Sequence, residues 1–206
     1  MIEVRTLEKA SSKYICSIAQ LHMKAFPSFF LTQLGRGFLE TLYLGYIENS
    51  ESGILVAEEK GSMVGFIAYS MDYPGFFKGL IKRHLLKFAV CSAGAAIRHP
   101  SFVKRLFGAF KKSESVEKKE RYVELASIAV DPTVEGQGIG TRLIDTLKEM
   151  VDFKEYEYIN LETDADENDA VNRFYLKNGF VLEREYTTAE GRRMNEYRYR
   201  GIARNE

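Results

Sequence analysis

The sequence has few of the features that mark several large classes of protein. Its 206 residues include only two cysteines, which argues against a disulfide framework and favours a reducing compartment. Lys and Arg together number 29, and so do Asp and Glu, so the chain has no net charge with which to attract nucleic acid. No apolar run reaches membrane-spanning length, and the first residues lack the basic start of a signal peptide. We therefore expect a cytoplasmic protein with no nucleic-acid partner, no transmembrane segment and no metal site.

One stretch of the chain lacks acidic residues altogether. Residues 73–112 contain nine Lys or Arg and no Asp or Glu, which leaves 20 Lys or Arg against 29 Asp or Glu elsewhere. Apolar residues recur there at helical spacing, which predicts two basic amphipathic helices. Three interpretations stay open: helices packed on the domain, a cationic wall for a phosphorylated acceptor, or a patch for an anionic membrane. The two predicted stripes are Phe77, Leu80, Ile81, His84, Leu85 and Phe88, then Val103, Leu106, Phe107 and Phe110.

The chain as a whole, residues 1–206, has the composition of one globular domain. Apolar residues make up 45% of the chain, which is enough for a single core, and there is no internal repeat or low-complexity tract. Periodicity and turn residues predict an alternation of helices and strands. Helices are expected at 12–26 and 32–49, with a loop at 28–31, and strands at 2–6, 53–59, 63–72, 122–130, 156–162, 181–187 and 194–200.

The most informative stretch joins a strand, a glycine-rich turn and a helix between residues 120 and 150. An almost wholly apolar strand ends at Asp131-Pro132, and a helix follows with an apolar stripe that includes Leu143 and Ile144. Glycine permits positive φ and close approach of a ligand, and the first amides of a helix have no partner in the chain. This turn is therefore an anion site that suits a pyrophosphate. The turn consists of Glu135, Gly136, Gln137, Gly138, Ile139, Gly140 and Thr141.

The spacing of the glycines excludes two of the ligand classes that use such a turn. A P-loop needs a Lys and then Ser or Thr after its last glycine, and here Thr141-Arg142 follow Gly140. A dinucleotide fingerprint needs its third glycine at position 141 and opens its domain, whereas this turn lies past the middle of the chain. Nucleotide hydrolysis and dinucleotide binding are therefore not expected.

The turn resembles the acetyl-CoA motif of the GNAT N-acetyltransferases, which has this arrangement of Gly138 and Gly140. A second block, Asn168 to Phe180, is similar to another GNAT motif, an Asn-started helix that ends in Tyr175 and then Asn-Gly-Phe. The resemblance covers roughly residues 53–72 and 120–200. This chain departs from the family in having Glu135 where Arg or Gln is usual, which we expect to weaken the affinity for CoA.

The resemblance implies an α/β GNAT fold: a mixed central sheet of about seven strands flanked by helices, with residues 73–112 as a basic helical insertion after the third strand. It implies an acyl-CoA-dependent N-acyltransferase that moves acetyl from acetyl-CoA to a primary amine of a small metabolite, an aminosugar or a nucleotide-sugar by direct attack. The partners are then acetyl-CoA and a small amine acceptor, and the sequence leaves a homodimer open.

The same resemblance implies which residues hold acetyl-CoA. The backbone of residues 128–130 would pair with the pantetheine like an added strand, and the amides of residues 137–141 would hold the pyrophosphate. Phe29 and Phe30 are candidate walls of the acceptor pocket. The full set expected at the donor is Ile128, Ala129, Val130, the seven residues of the turn, Asn168, Asn172 and Tyr175.

Two residues are expected to carry proton transfer. Tyr175 aligns with the family tyrosine that donates a proton to the CoA sulfur, and a backbone amide near Val130 would hold the thioester carbonyl. Glu124 is the first candidate for the base that deprotonates the amine, since burial beside apolar neighbours would raise its pKa. Asp72, also a candidate substrate residue, and His22 are its reserves.

The sequence is also compatible with two other classes of function. One is an acyl-CoA-binding module of GNAT type without catalysis, for which Glu135 is the sequence feature. The other is a protein that binds a membrane surface or a partner through residues 73–112. Titration with acetyl-CoA followed by thiol release across an amine panel separates the first from an enzyme, and liposome sedimentation tests the second.

Overall fold

A computed structural model of the protein describes residues 2–8, 11–98, 120–189 and 191–201. Seven strands form one sheet in the order β1-β2-β3-β4-β5-β7-β6. All neighbouring strands are antiparallel except β4 and β5, which are parallel, so the sheet is mixed as predicted. The strands are β1 Ile2–Thr6, β2 Ser52–Glu59, β3 Ser62–Ser70, β4 Tyr122–Val130, β5 Tyr158–Asp164, β6 Val181–Thr187 and β7 Arg193–Tyr199.

Six described α-helices cover the two faces of this sheet, and a short 3-10 helix at Pro132–Val134 follows β4. One apolar cluster packs α1, α3 and α4 against one face, around Phe38, Tyr43 and Phe66. The other packs α5 and α6 against the opposite face, around Leu143 and Ile159. The predicted α/β fold with helices on both faces is therefore confirmed. The helices are α1 Ser12–Ala25, α2 Phe30–Gln33, α3 Arg36–Glu48, α4 Tyr73–Arg98, α5 Ile139–Met150 and α6 Asp169–Lys177.

The chain between α1 and α3 differs from the sequence prediction. A single helix was expected over 32–49, after a loop at 28–31, but α2 already begins at Phe30 and α3 begins only at Arg36. Gly35 separates the two helices with φ of 97°, a backbone conformation that a residue with a Cβ rarely adopts. The helical periodicity continues across Gly35, so the apolar pattern alone does not reveal the break.

Helix α4 forms the first part of the predicted insertion. It buries Phe76, Leu80 and Phe88 against α3, whereas Leu85, which the sequence placed on the inward stripe, is 55% exposed. The predicted second helix of the insertion lies outside the described residues. None of the described helices, α4 included, combines the length and the apolar character needed to cross a bilayer.

Candidate active site

Strands β4 and β5 part in the middle of the sheet. They pair only from Tyr122 with Tyr158 to Glu124 with Asn160, although β4 continues to Val130. A register shift against β3 places an extra residue of β4 at Ala126, two residues after the last pair with β5. In the described sheet, the β5-facing edge of β4 is therefore unpaired beyond Glu124, as the pairing of a pantetheine with this edge requires.

The glycine-rich turn follows β4 and leads into α5. Gly136 and Gly138 have φ of 81° and 73°, and Gly138 is the N-cap of α5. A Cβ at either glycine would meet no atom within 4 Å, so these positions need glycine for the backbone conformation and not for space. Both are exposed, so a ligand can approach the turn from solvent.

The first turn of α5 presents backbone donors at this open turn. Its first intrahelical bond is donated by the Arg142 amide to the Gly138 carbonyl at 3.0 Å, so the preceding amides of the helix have no acceptor within it. Gly140 is needed for packing, because a Cβ there would lie 3.0 Å from Cζ of Phe174 on α6. The end of α6 thus contacts the start of α5 beside a cradle that fits a pyrophosphate.

An ion pair fixes the entry to the turn. Asp131 accepts hydrogen bonds from Lys24 Nζ at 2.6 Å and from the backbone and hydroxyl of Thr133. These bonds, that from Lys24 above all, lower the pKa of Asp131 to about 2, so it stays ionised. Glu135 follows the 3-10 helix and is exposed, so its charge lies at the edge of the turn.

The two asparagines expected to reach CoA are engaged inside the protein. The Asn168 amide donates to Thr163 Oγ1 and to the Asp164 carbonyl, which ties the start of α6 to the end of β5. Asn172 donates to the Asp164 and Asn168 carbonyls and accepts from Asn195 and Tyr197. These bonds position α6 on the sheet, and a contact of either side chain with CoA stays a prediction.

Tyr175 lies near the end of α6, on the face of the sheet that also packs α5. Its ring is 6% exposed and contacts the rings of Phe180 and Tyr197 at centroid distances of 5.8 and 5.9 Å. Burial alone raises the pKa of Tyr175, and none of the described residues forms a hydrogen bond with its hydroxyl. The phenol therefore stays protonated at neutral pH, as a proton donor must.

Glu124 occupies the last paired position of β4, where the two strands part. It is 7% exposed and accepts a hydrogen bond from Asn160 Nδ2, directly across on β5, at 2.8 Å. Its neighbours Val123 and Leu125 pack on the α5 and α6 face, so alternation directs Glu124 to the other face. Tyr175 packs in the α5 and α6 cluster, so the candidate base and the candidate acid lie on opposite faces of the sheet.

The matching family model is that of the acetyltransferase (GNAT) family, over residues 16–180. The chain belongs to the GNAT acetyltransferase family. The acetyl donor of this family is acetyl-CoA. That the turn and the unpaired edge of β4 bind it stays a prediction. A comparison with curated proteins gives no sequence match.

Solved structures support the GNAT fold over nearly the whole chain. A GNAT-family protein from Desulfovibrio desulfuricans is 15% identical, with 97% of this chain and 99% of that chain covered and a TM-score of 0.64. The ribosomal-protein-S18-alanine N-acetyltransferase of Escherichia coli is 14% identical (100% and 99% covered, TM-score 0.57). The Drosophila melanogaster polyamine N-acetyltransferase is 13% identical (98% and 100% covered, TM-score 0.60). Likeness at these identities shows the fold, and the latter two proteins are named for different acceptors.

Three tyrosines lie near enough to Glu124 to interact with its charge, and the sequence analysis missed them. Burial, with a smaller contribution from the Glu124 carboxylate, raises the pKa of the Tyr46, Tyr73 and Tyr122 phenols. Glu162 contributes to the same shift at Tyr73 and Tyr122, so both carboxylates lie near these two phenols. Tyr73 and Tyr46 come from helices far apart in sequence from β4, so only the fold brings them together.

The residues predicted to line the acceptor pocket occupy different parts of the structure. The Asp72 side chain is exposed and accepts a hydrogen bond from the Gly75 amide at 3.0 Å, at the start of α4. Phe29 and Phe30 lie at the start of α2, half-buried, with ring centroids 5.0 Å apart. Phe29 is also 6.1 Å from the ring of His22. Their roles toward an acceptor stay predictions.

His22, the reserve base, is a buried neutral imidazole. It is 2% exposed, its Nδ1 lies 2.6 Å from the Tyr43 hydroxyl, and its Nε2 has no hydrogen-bond partner among the described residues. Burial lowers the pKa of His22 from 6.5 to about 4. A base with so low a pKa holds a proton from an amine poorly, so this residue suits the core better than catalysis.

We expect His22 to make stability depend on pH. The unfolded chain takes up a proton at His22 near pH 6.5 and the folded chain only near pH 4, so the free energy of unfolding falls as the pH is lowered through this window. The loss reaches about 3 kcal/mol at its lower end. Urea unfolding of the wild type and His22→Gln from pH 8 to pH 4 checks this, since Gln does not titrate. Parallel curves for the two proteins would contradict the prediction.

Proposed function

We propose that this GNAT protein transfers acetyl from acetyl-CoA to a primary amine of a small metabolite or an aminosugar. The observation that carries the proposal is the gap between β4 and β5. Tyr175 lies on one face of the sheet, and Glu124, at the edge of the gap, points to the opposite face. A donor on the first face and an acceptor on the second would meet in this gap, as direct attack requires.

On the donor side, backbone groups would do most of the binding. The amides of residues 137–141 would hold the pyrophosphate, aided by the positive end of the α5 dipole. The unpaired edge of β4, residues 128–130, would pair with the pantetheine and direct the thioester toward the gap. The hydrogen bonds of Asn168 and Asn172 would keep α6, and with it Tyr175, in register with that thioester.

The proposed reaction has three requirements at the gap. Glu124 takes a proton from the ammonium group of the acceptor, directly or through a water, because only the neutral amine attacks a thioester. A backbone amide near Val130 donates to the carbonyl oxygen as negative charge develops there. Tyr175 then gives its proton to the departing thiolate of CoA.

The surroundings of Glu124 favour an acceptor that arrives as a cation. The carboxylates of Glu124 and Glu162 lie near enough to the phenols of Tyr73 and Tyr122 to raise the pKa of both beyond the effect of burial, and such carboxylates and aromatic faces favour an ammonium group. A phosphorylated group would be repelled by the same carboxylates. An amine or an unphosphorylated aminosugar therefore fits this side better than a nucleotide-sugar held near Glu124.

Binding and turnover measured on the same protein test this function. Calorimetric titration with acetyl-CoA should show binding, and free thiol should then be released with at least one member of a panel of polyamines, aminosugars and amino acids. A peptide with a free α-amine serves as the control for protein acetylation. Binding of acetyl-CoA without thiol release for any amine would establish the alternative, a CoA-binding module without catalysis.

Replacement of Glu135 should improve the use of acetyl-CoA. Its carboxylate is exposed at the edge of the turn that would hold the pyrophosphate, so removal of this charge should strengthen binding of the anion. We expect Glu135→Gln to lower KM for acetyl-CoA about two- to five-fold with kcat unchanged, and Glu135→Arg to lower it further. Glu149→Gln, an exposed change at the other end of α5, is the matched control. An unchanged KM in both Glu135 variants would refute a charge effect at this position.

A further inference from the structure

Helix α4 presents a second apolar stripe to solvent, opposite the one it buries. Leu86 and Val90 are 82% and 77% exposed, more than any other large apolar side chain among the described residues, and Leu85 is 55% exposed. At about 100° per residue these three lie within one half of the helix circumference, while Phe76, Leu80 and Phe88 fall in the other half. An exposed aliphatic stripe of this kind is unusual for a helix whose other face is already packed.

Exposed cationic side chains lie among and beside these aliphatic residues of α4. Lys78 and Lys82 fall in the outward half, Arg83 lies at its edge and Lys87 lies beyond it, and α4 contains no acidic residue from Tyr73 to Arg98. Within the described part of the chain, Arg83 pairs with Glu48 at 3.5 Å, and no ion pair includes any of the three lysines.

We propose that the outer face of α4 docks on an anionic lipid surface. Aliphatic side chains would enter the boundary between head groups and acyl chains while the flanking lysines contact lipid phosphates, as in helices that lie in a membrane interface. Nucleic acid would use the cations but gains little from exposed Leu and Val, and a neutral bilayer would leave the cations without partners. The combination on one helix face fits an anionic bilayer best.

Docking in this way would bring the first turn of α4, which holds Tyr73, toward the bilayer. Helix α4 begins at Tyr73, whose phenol lies close enough to Glu124 for the carboxylate to raise its pKa further, beyond the effect of burial. The glycine-rich turn belongs to the other face of the sheet, with α5. Acetyl-CoA could therefore enter from solvent while α4 rests on lipid.

Vesicle sedimentation of the full chain tests the proposal. Wild type should sediment with vesicles of phosphatidylcholine and phosphatidylglycerol and stay in solution with phosphatidylcholine alone, and high salt should release it.

The triple change Lys78→Gln, Lys82→Gln and Lys87→Gln should lower the partition coefficient between vesicles and solution on the order of 100-fold. The triple change Leu85→Gln, Leu86→Gln and Val90→Gln should lower it at least about tenfold. Val181→Thr with Leu182→Thr, exposed apolar residues on β6, is the matched control and should bind like wild type.

Circular dichroism and the thermal midpoint establish that each variant is folded before its binding is compared. Equal binding to both kinds of vesicle, or wild-type binding by both triple variants, would overturn the proposal. So would sedimentation velocity that shows a wild-type dimer converted to a monomer by the apolar triple change, because the stripe would then be covered by a second copy of the chain.

Discussion

Tyr175→Phe should lower kcat by about 100-fold or more while KM for acetyl-CoA stays within about two-fold of the wild type. The change removes one oxygen from a ring that is held by Phe180 and Tyr197, so the position of α6 should not move. None of the described residues bonds to the lost hydroxyl, so stability should be unchanged or slightly higher. Steady-state thiol release and urea unfolding of the purified variant measure the two effects separately.

Tyr197→Phe is the matched control for this experiment. Its ring lies 5.9 Å from that of Tyr175, and its hydroxyl donates to Asn172 Oδ1 at 3.0 Å. Loss of this bond should cost about 1 kcal/mol of stability and leave kcat within a few-fold. The two variants are thus expected to show opposite patterns, one losing turnover and the other stability. Wild-type turnover in Tyr175→Phe would remove the residue from the proposed mechanism.

The elements of the proposed donor side could be predicted from sequence because they are local. The strand, the turn and the helix that form the cradle are consecutive, and glycine at 136 and 138 is required by a backbone conformation that the chain itself determines. The helix that follows Asn168 could be predicted for the same reason, since consecutive residues determine where it begins and ends. The family resemblance implied a backbone edge at residues 128–130 that is free to pair with the pantetheine, and the pairing pattern of the sheet shows that β4 and β5 part before these residues.

The acceptor side could not be predicted in the same way. Tyr46, Tyr73 and Tyr122 lie on α3, α4 and β4, and the fold alone brings their phenols near one carboxylate. Asn160 alternates with apolar residues along β5, which is a signal for an inward polar side chain, but its partner Glu124 depends on the register of two strands. Contacts that depend on register are not encoded by periodicity.

Helix α4 shows a further limit of sequence periodicity. Apolar residues occur on both halves of its circumference, so the pattern does not say which half is inside. The prediction placed Leu85 inward and omitted Phe76, whereas the structure buries Phe76 beside Gly45 of α3 and exposes Leu85. Gly45 allows this arrangement, because a Cβ there would overlap the side chain of Leu80 and lie 3.8 Å from Phe76. The two helices therefore approach closely at one glycine, and this contact sets the rotation of α4.

Glu124→Gln should lower kcat/KM for the amine on the order of 100-fold at neutral pH and remove the acidic limb of the pH–rate profile. The amide matches the carboxylate in size and can still accept the hydrogen bond from Asn160, so the splay between the strands should persist. Because only the base role is lost, the residual rate should rise with pH as the free amine becomes neutral. Thiol release measured between pH 6 and pH 10 distinguishes this from a loss of folding.

Asp72→Asn serves as the control for this experiment, since the reserve carboxylate is exposed and caps α4 through the Gly75 amide. If Glu124 is the base, Asp72→Asn should keep the pH–rate profile of the wild type and lose little turnover, because an asparagine oxygen can still accept the capping bond. Should Asp72→Asn instead abolish the acidic limb while Glu124→Gln preserves it, the base would be the exposed carboxylate. The amine would then be deprotonated outside the gap, before it reaches the thioester.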